Sequence, residues 1–201
     1  MNRVLVIGLL AIAPTCAFAI DGQVLINQST VISAGGFPYL ISNPGSYKLT
    51  GNLSATAGKP AIQITASNVT LDLNGFNVAS LGPTSGPFSD TATGIAITGV
   101  VSNIKIRNGT MFGWSPAVGM FQGSLLSIED MSFEENFTLP GGLTIGNGVA
   151  VEAFNGVKSL LTRVITDGQL LVSCPSVITN SVANFIKGFG GVCVFANTVG
   201  N

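Results

Sequence analysis

Asn68-Val-Thr-Leu-Asp-Leu-Asn-Gly-Phe76 and Asn103-Ile-Lys-Ile-Arg-Asn-Gly109 share one grammar. In each, an Asn opens a run of alternating apolar and polar residues, and an Asn-Gly pair ends it. A period of two puts Val69 and Leu71, or Ile104 and Ile106, on one side of an extended strand and their polar neighbours on the other. The Asn-Gly pair supplies a corner where positive φ is tolerated. Both segments read as strands that bury one face and stop at a tight turn.

Outward from these, short apolar strands opening on Gly or Ala recur at Ala61-Ile-Gln-Ile64, Gly94-Ile-Ala-Ile97, Gly119-Met-Phe121, Gly148-Val-Ala-Val151, Gly168-Gln-Leu-Leu171 and Gly191-Val-Cys-Val194. Their starts lie 33, 25, 29, 20 and 23 residues apart. A second strand follows most of them: the two runs above, then Leu125 to Met131 and Leu160 to Ile165. Two strands in every stretch of about 20 to 30 residues predict an all-β chain, a parallel β-helix (β-solenoid) of about six short coils, each burying its apolar side against its neighbours. Asn180-Ser-Val-Ala-Asn184 resembles Asn197-Thr-Val-Gly-Asn201, so Asn side chains are expected to stack at the turns. Residues 20–60 differ from the repeats and read as an N-terminal cap with first strands. The Pro-, Gly- and Ser-rich stretch Leu81 to Asp90 reads as an inserted loop, and residues 61–201 read as the β-helix.

Composition narrows the function. The 201 residues suit one domain, and charged residues make up only 8 % of them, with 8 Lys plus Arg against 9 Asp plus Glu. So few scattered cations form no basic face, which argues against a nucleic-acid partner. The chain contains no His, so the commonest general base and the imidazole metal ligands are absent. At the N-terminus, Asn2-Arg3, the apolar run Val4 to Ala13 and Ala17-Phe18-Ala19 have the order of a secretory signal peptide over residues 1–19. The apolar run is about half the ~20 residues that span a bilayer, so no membrane span is expected, and the product is expected to be secreted, whether extracellular, periplasmic or on the cell surface. Loss of that segment removes Cys16 and leaves Cys174 and Cys193, which form a disulfide or remain two buried thiols.

Gly45-Ser-Tyr-Lys-Leu-Thr-Gly-Asn-Leu53, Ala61-Ile-Gln-Ile-Thr65 and Asn68 to Phe76 together resemble secreted bacterial right-handed parallel β-helix proteins of the pectate-lyase-like superfamily, over about residues 23 to 201. The resemblance implies a right-handed coil whose outward residues form columns. It leaves activity open, because the fold hosts lyases, hydrolases, epimerases and non-catalytic binders. The His and Asp constellations of the hydrolases and epimerases have no counterpart here.

With Val69, Ile104 and Leu126 facing inward, the outward columns become Thr70, Lys105, Ser127 and Asp72, Arg107, Glu129. The candidate catalytic residues are Asp72, Arg107 and Glu129: an Arg flanked by carboxylates binds a uronate or, with calcium on the carboxylates, supports β-elimination. The alternative is an ion-pair ladder along the outer face. Glu129-Asp130 and Glu134-Glu135 form an acidic cluster that reads as a solvated edge in preference to a metal site. Trp114, Lys105 and Arg107 are the candidate ligand-binding residues, the indole as a stacking platform for sugars. The expected function is a non-catalytic extracellular structural or carbohydrate-binding module without a cofactor. A polysaccharide lyase using calcium is the alternative. The expected partners are an extracellular polysaccharide and a second copy at the C-terminal edge.

Overall fold

The computed structural model describes residues 22–56, 58–81, 93–134, 137–138, 144–145 and 148–200. The expected signal peptide with Cys16, nearly all of the expected loop from Leu81 to Asp90, and Glu135 lie outside them. In chain order come β1 (Gln23–Ile26), helix α1 (Gln28–Ser33), β2 (Tyr39–Ile41), β3 (Gly45–Leu49), β4 (Leu53–Ala55), β5 (Ile62–Ile64), β6 (Val69–Asp72), β7 (Asn77–Ser80) and β8 (Ile95–Ile97). They are followed by β9 (Val101–Phe112), β10 (Val118–Met120), β11 (Gly123–Glu134), the hairpin strands β12 (Phe137–Thr138) and β13 (Thr144–Ile145), β14 (Val149–Thr166), β15 (Gln169–Thr179), β16 (Phe185–Phe189) and β17 (Val194–Ala196).

All strands except the β12–β13 hairpin belong to one 15-stranded sheet whose pairings are parallel. The sheet is strongly curled, an arrangement compatible with a β-helix. Its register falls into three columns. The first stacks β2, β5, β8, β10 and the leading parts of β14 and β15 before ending on β16. The second runs β1, β3, β6, β9, β11, β14, β15 and β17. The third joins β4 and β7 to the end of β9 and continues through the bridges of Ile165 to Val182 and Val182 to Val199. Every column sends alternate residues into a common core, among them Ile62, Ile95 and Val118 from the first, Leu71, Ile106 and Ile128 from the second, and Leu53, Val78 and Met111 from the third. Branched aliphatics suit these positions because they pack against their equivalents one strand spacing (~4.8 Å) away.

The corners explain the Asn content. Asn68, Asn103 and Leu125 precede the second column, while Asn74, Asn108, Asp130, Arg163, Asn180 and Asn197 follow it, and all nine hold positive φ. Asn tolerates this backbone better than most residues and also offers an amide to the next repeat. Asn103 Nδ2 donates to Asn68 Oδ1 at 2.9 Å, and Asn197 Nδ2 to Asn180 Oδ1 at 3.3 Å. Gly109 serves a different need: a Cβ there would lie 2.4 Å from Leu73 Cβ, so the backbone crosses the preceding corner with no room for a side chain.

The structure adds detail to three sequence expectations. Within the expected cap and first strands, β1 to β4 pair in register with later strands, β1 and β3 heading the second column. Among them sits α1, which the period-two reading missed. A reciprocal capping box between Asn27 and Thr30 starts this helix, and Val31 anchors it in the core. In the first column Gly119 faces outward opposite Ala96, so the equivalent of Gly94 is Ala117 and the spacing read from the two glycines is displaced. Gly191 to Val194 lies outside the first column. Phe185–Phe189 takes that place and Val194 joins the second column, because the last repeats have shortened to 17 residues, the separation at which Ser159 meets Ser176 and Asn180 meets Asn197.

Candidate functional site

The second column brings together the outward residues expected from the sequence. Thr70 pairs with Lys105 and Lys105 with Ser127, while Asp72 pairs with Arg107 and Arg107 with Glu129. Inward burial of Val69, Ile104 and Leu126 forces this register, because a slip of one residue would bury the charges.

The charges are distributed as two separate pairs. Arg107 Nη2 lies 3.1 Å from Asp72 Oδ2, and Lys105 Nζ lies 2.9 Å from Glu129 Oε2. Asp72 is buried, and its Oδ1 accepts the Asn74 backbone N–H at 2.8 Å and Asn108 Nδ2 at 3.3 Å. Glu129 Oε1 accepts the Ser127 hydroxyl at 3.1 Å. The Lys105 hydrogen bond holds the Glu129 carboxyl below the usual carboxylate range, with further help from Ser127 against the opposing effect of burial. A general base working near neutral pH wants its pKa moved the other way. Calcium at this column would have to displace Arg107 and Lys105 from the only two carboxylates it offers. Among the described residues there is no cluster of three or more His, Cys, Asp or Glu side chains able to hold a metal ion. Arg107 Nε is buried and has no hydrogen-bond partner among the described residues.

The acidic cluster divides in the same manner. Asp130 binds Arg163 of the next repeat through both carboxylate oxygens, and this bond places its carboxyl below the ordinary range. The pair occupies the corner where the neighbouring repeats place Asn, so an ion pair replaces an amide ladder.

Trp114 is a correction. It is 1 % exposed, with its indole N–H donated to the Val78 carbonyl at 3.2 Å, so neither ring face is available to a sugar. Three other aromatics that solvent reaches, Phe121, Phe154 and Phe189, lie together. Ring centroids are 6.4 Å apart between Phe121 and Phe154, and 5.3 Å apart, edge to face, between Phe154 and Phe189. With Asn155, Ser173 and Gly190 they line a shallow groove of about 420 Å³. Lys187 Nζ stands 4.8 Å from the Phe189 ring centre. The signal was present in the sequence. Met120, Ala153, Val172 and Gly188 are successive partners in the first column, and the next residues are Phe, Phe, Ser and Phe. The small Ser173 lets Phe154 and Phe189 meet.

Beside the groove, Cys174 and Cys193 are joined with an S–S distance of 2.10 Å. Among the described residues no helix is long and apolar enough to cross a membrane. No family model matches the chain, and searches of curated proteins and of solved structures find no match either.

Proposed function

We propose that the chain is a right-handed parallel β-helix of the pectate-lyase-like kind, exported from the cell, and that it serves as a non-catalytic structural or carbohydrate-binding module. The three-column parallel register supports the coil, and right-handed crossovers are the general rule for parallel strands. The order of charge, apolar run and small residues over residues 1–19 supports export, and the disulfide is compatible with an oxidising compartment. The observation that carries the non-catalytic reading is the commitment of both carboxylates of the candidate column. Asp72 answers three donors and Glu129 two, all from the chain itself.

The phenyl groove is the surface offered to a sugar, whose C–H face packs on aromatic rings. Lys105 and Arg107 remain outward on the second column as candidate contacts for an acidic glycan. Self-association through β16 and β17 belongs to the same proposal, since among the described residues these strands pair only with β15. Light scattering on the purified protein tests it, with a concentration-independent monomer as the opposing result.

Folded protein incubated with calcium on pectate, alginate and other acidic glycans is expected to release no product absorbing as an unsaturated uronate. Product that forms, and is lost in Arg107→Ala, would establish the polysaccharide-lyase alternative. Retention on a glycan that Phe121→Ala and Phe154→Ala abolish is the expected positive result for the binding module.

A further inference from the structure

The last repeat is built differently from all the others. Within residues 184–200 no side chain is buried; Ile186 and Cys193 are the partly buried residues packed against the core, while Phe185, Val194 and Phe195 are 37 %, 52 % and 45 % exposed. Hydrogen bonding reaches this repeat from one side, through β16 and β17 on β15 and a bridge at Val182 and Val199. In earlier repeats the core supplies the dominant stabilisation, but here it supplies little.

The Cys174–Cys193 disulfide takes the place of that core. Cys174 is buried within β15, and Cys193 closes the loop between β16 and β17. Gly188 seats the end of β16 directly on the sulfurs: a Cβ there would lie 2.7 Å from Cys174 Sγ and 2.8 Å from Cys193 Sγ. The adjacent Phe189 and Gly190 form one wall of the phenyl groove. Cys193 is partly buried, the more exposed of the two cysteines.

We propose that Cys174–Cys193 is a redox latch whose reduction frees residues 184–200, removes the Phe189 wall of the groove and bares the edge of β15, while the preceding repeats stay folded. The chemistry is thiol–disulfide exchange with a dithiol reductant. One thiolate attacks Cys193 Sγ, the S–S bond breaks, and Cys174 leaves as a thiolate that takes up a proton. The second thiol of the reductant then displaces Cys193 from the mixed disulfide, giving two protein thiols and an oxidised, cyclised reductant. The covalent restraint on the chain linking β15 to β17 is lost, and an exposed repeat with one bonded edge has little else to hold it.

Hydrogen exchange followed by mass spectrometry on the full chain tests the latch, comparing the oxidised protein with the same protein after reduction by a dithiol and alkylation. The Cys174→Ser, Cys193→Ser double variant removes any effect of the alkyl groups. Amides of β15, β16 and β17 are expected to exchange roughly 100-fold faster after reduction and in the double variant, while those of β6, β9 and β11 keep their rates. Unchanged rates in β15 to β17 would overturn the proposal. So would a uniform loss of protection across all strands, which would make the disulfide a staple of the whole fold.

Discussion

From Val69 to Phe133 neighbouring repeats hold each other through charge and amides, whereas from Ser159 to Val199 hydroxyls join them beside a single Asn197–Asn180 amide contact and the disulfide. In the first region Arg107 meets Asp72, Lys105 meets Glu129, and Asn103 meets Asn68. In the second, buried Ser176 and Ser181 accept the backbone N–H groups of Ser159 and Val164, and Thr162 meets Thr179 hydroxyl to hydroxyl. The outward column that begins Thr70, Lys105, Ser127 continues as Leu160, Val177 and Val194, all three exposed. Inward positions are mostly aliphatic, with Ser159 following Leu126 and Phe195 following Ile178. The core fixes what points in and the register of each strand, while the outer face is free to change chemistry from one repeat to the next.

The largest effects separate the two regions by burial. Leu71→Ala, in a fully buried position, is expected to cost about 3 to 5 kcal/mol in denaturant unfolding, and Val194→Ala less than about 1 kcal/mol. Equal losses would mean that the last repeat is packed as tightly as the first ones. Gly109→Ala is expected to destabilise by about 3 kcal/mol, since its methyl group would collide with Leu73 and backbone must move.

Next comes the hydroxyl ladder. Ser176→Ala leaves the buried Ser159 N–H without its acceptor at 2.8 Å and should cost about 1 to 2 kcal/mol in the same assay. A neutral result would show that the serines are incidental to the way the short repeats are joined.

The smallest effects concern pH, and two carboxyl groups, Glu129 and Glu152, differ in sign. Glu129 has its carboxyl pKa lowered by Lys105, so it contributes stability above its unfolded pKa and loses it as pH falls through the folded value. Glu129→Gln should therefore flatten the acid limb of the thermal midpoint against pH. Glu152, outward between Gly119 and Leu171, has its pKa raised by burial. It weakens the fold as pH climbs from its unfolded to its folded value, and Glu152→Gln should raise the midpoint slightly at neutral pH and leave it unchanged in acid. Midpoints that respond in the same direction for both variants would contradict this assignment.

The sequence made the second column legible because its alternation is strict and both faces carry information. Val69, Ile104 and Leu126 set the inward side, and the pairing of Asp72 with Arg107 and of Arg107 with Glu129 follows from it. The one-residue difference between Asn74-Gly75 and Asn108-Gly109 is absorbed at the corner, as expected. The first column was harder to read, since glycines open its strands by chance as well as by need, and Gly119 proved to be an outward residue under Thr93 and Phe121. The switch to 17-residue repeats hid the place of β16, although the two Asn-flanked segments at the end of the chain already carried that period. Charge partners were not legible either. Register places Arg107 beside Glu129, but a flexible Lys105 reaches that carboxylate from the neighbouring column, and only side-chain geometry shows it. Trp114 was misread because a large aromatic near a turn fits a sugar platform and a core plug equally well in sequence.

A double-mutant cycle on Asp72→Ala and Arg107→Ala, read by equilibrium denaturation, tests most directly whether the charged column joins repeats. A structural ladder predicts that the two substitutions together cost less than the sum of the single ones, with a coupling of about 1 kcal/mol or more. Additive effects, with no coupling between the two sites, would contradict it and return these charges to the search for a ligand or a reaction.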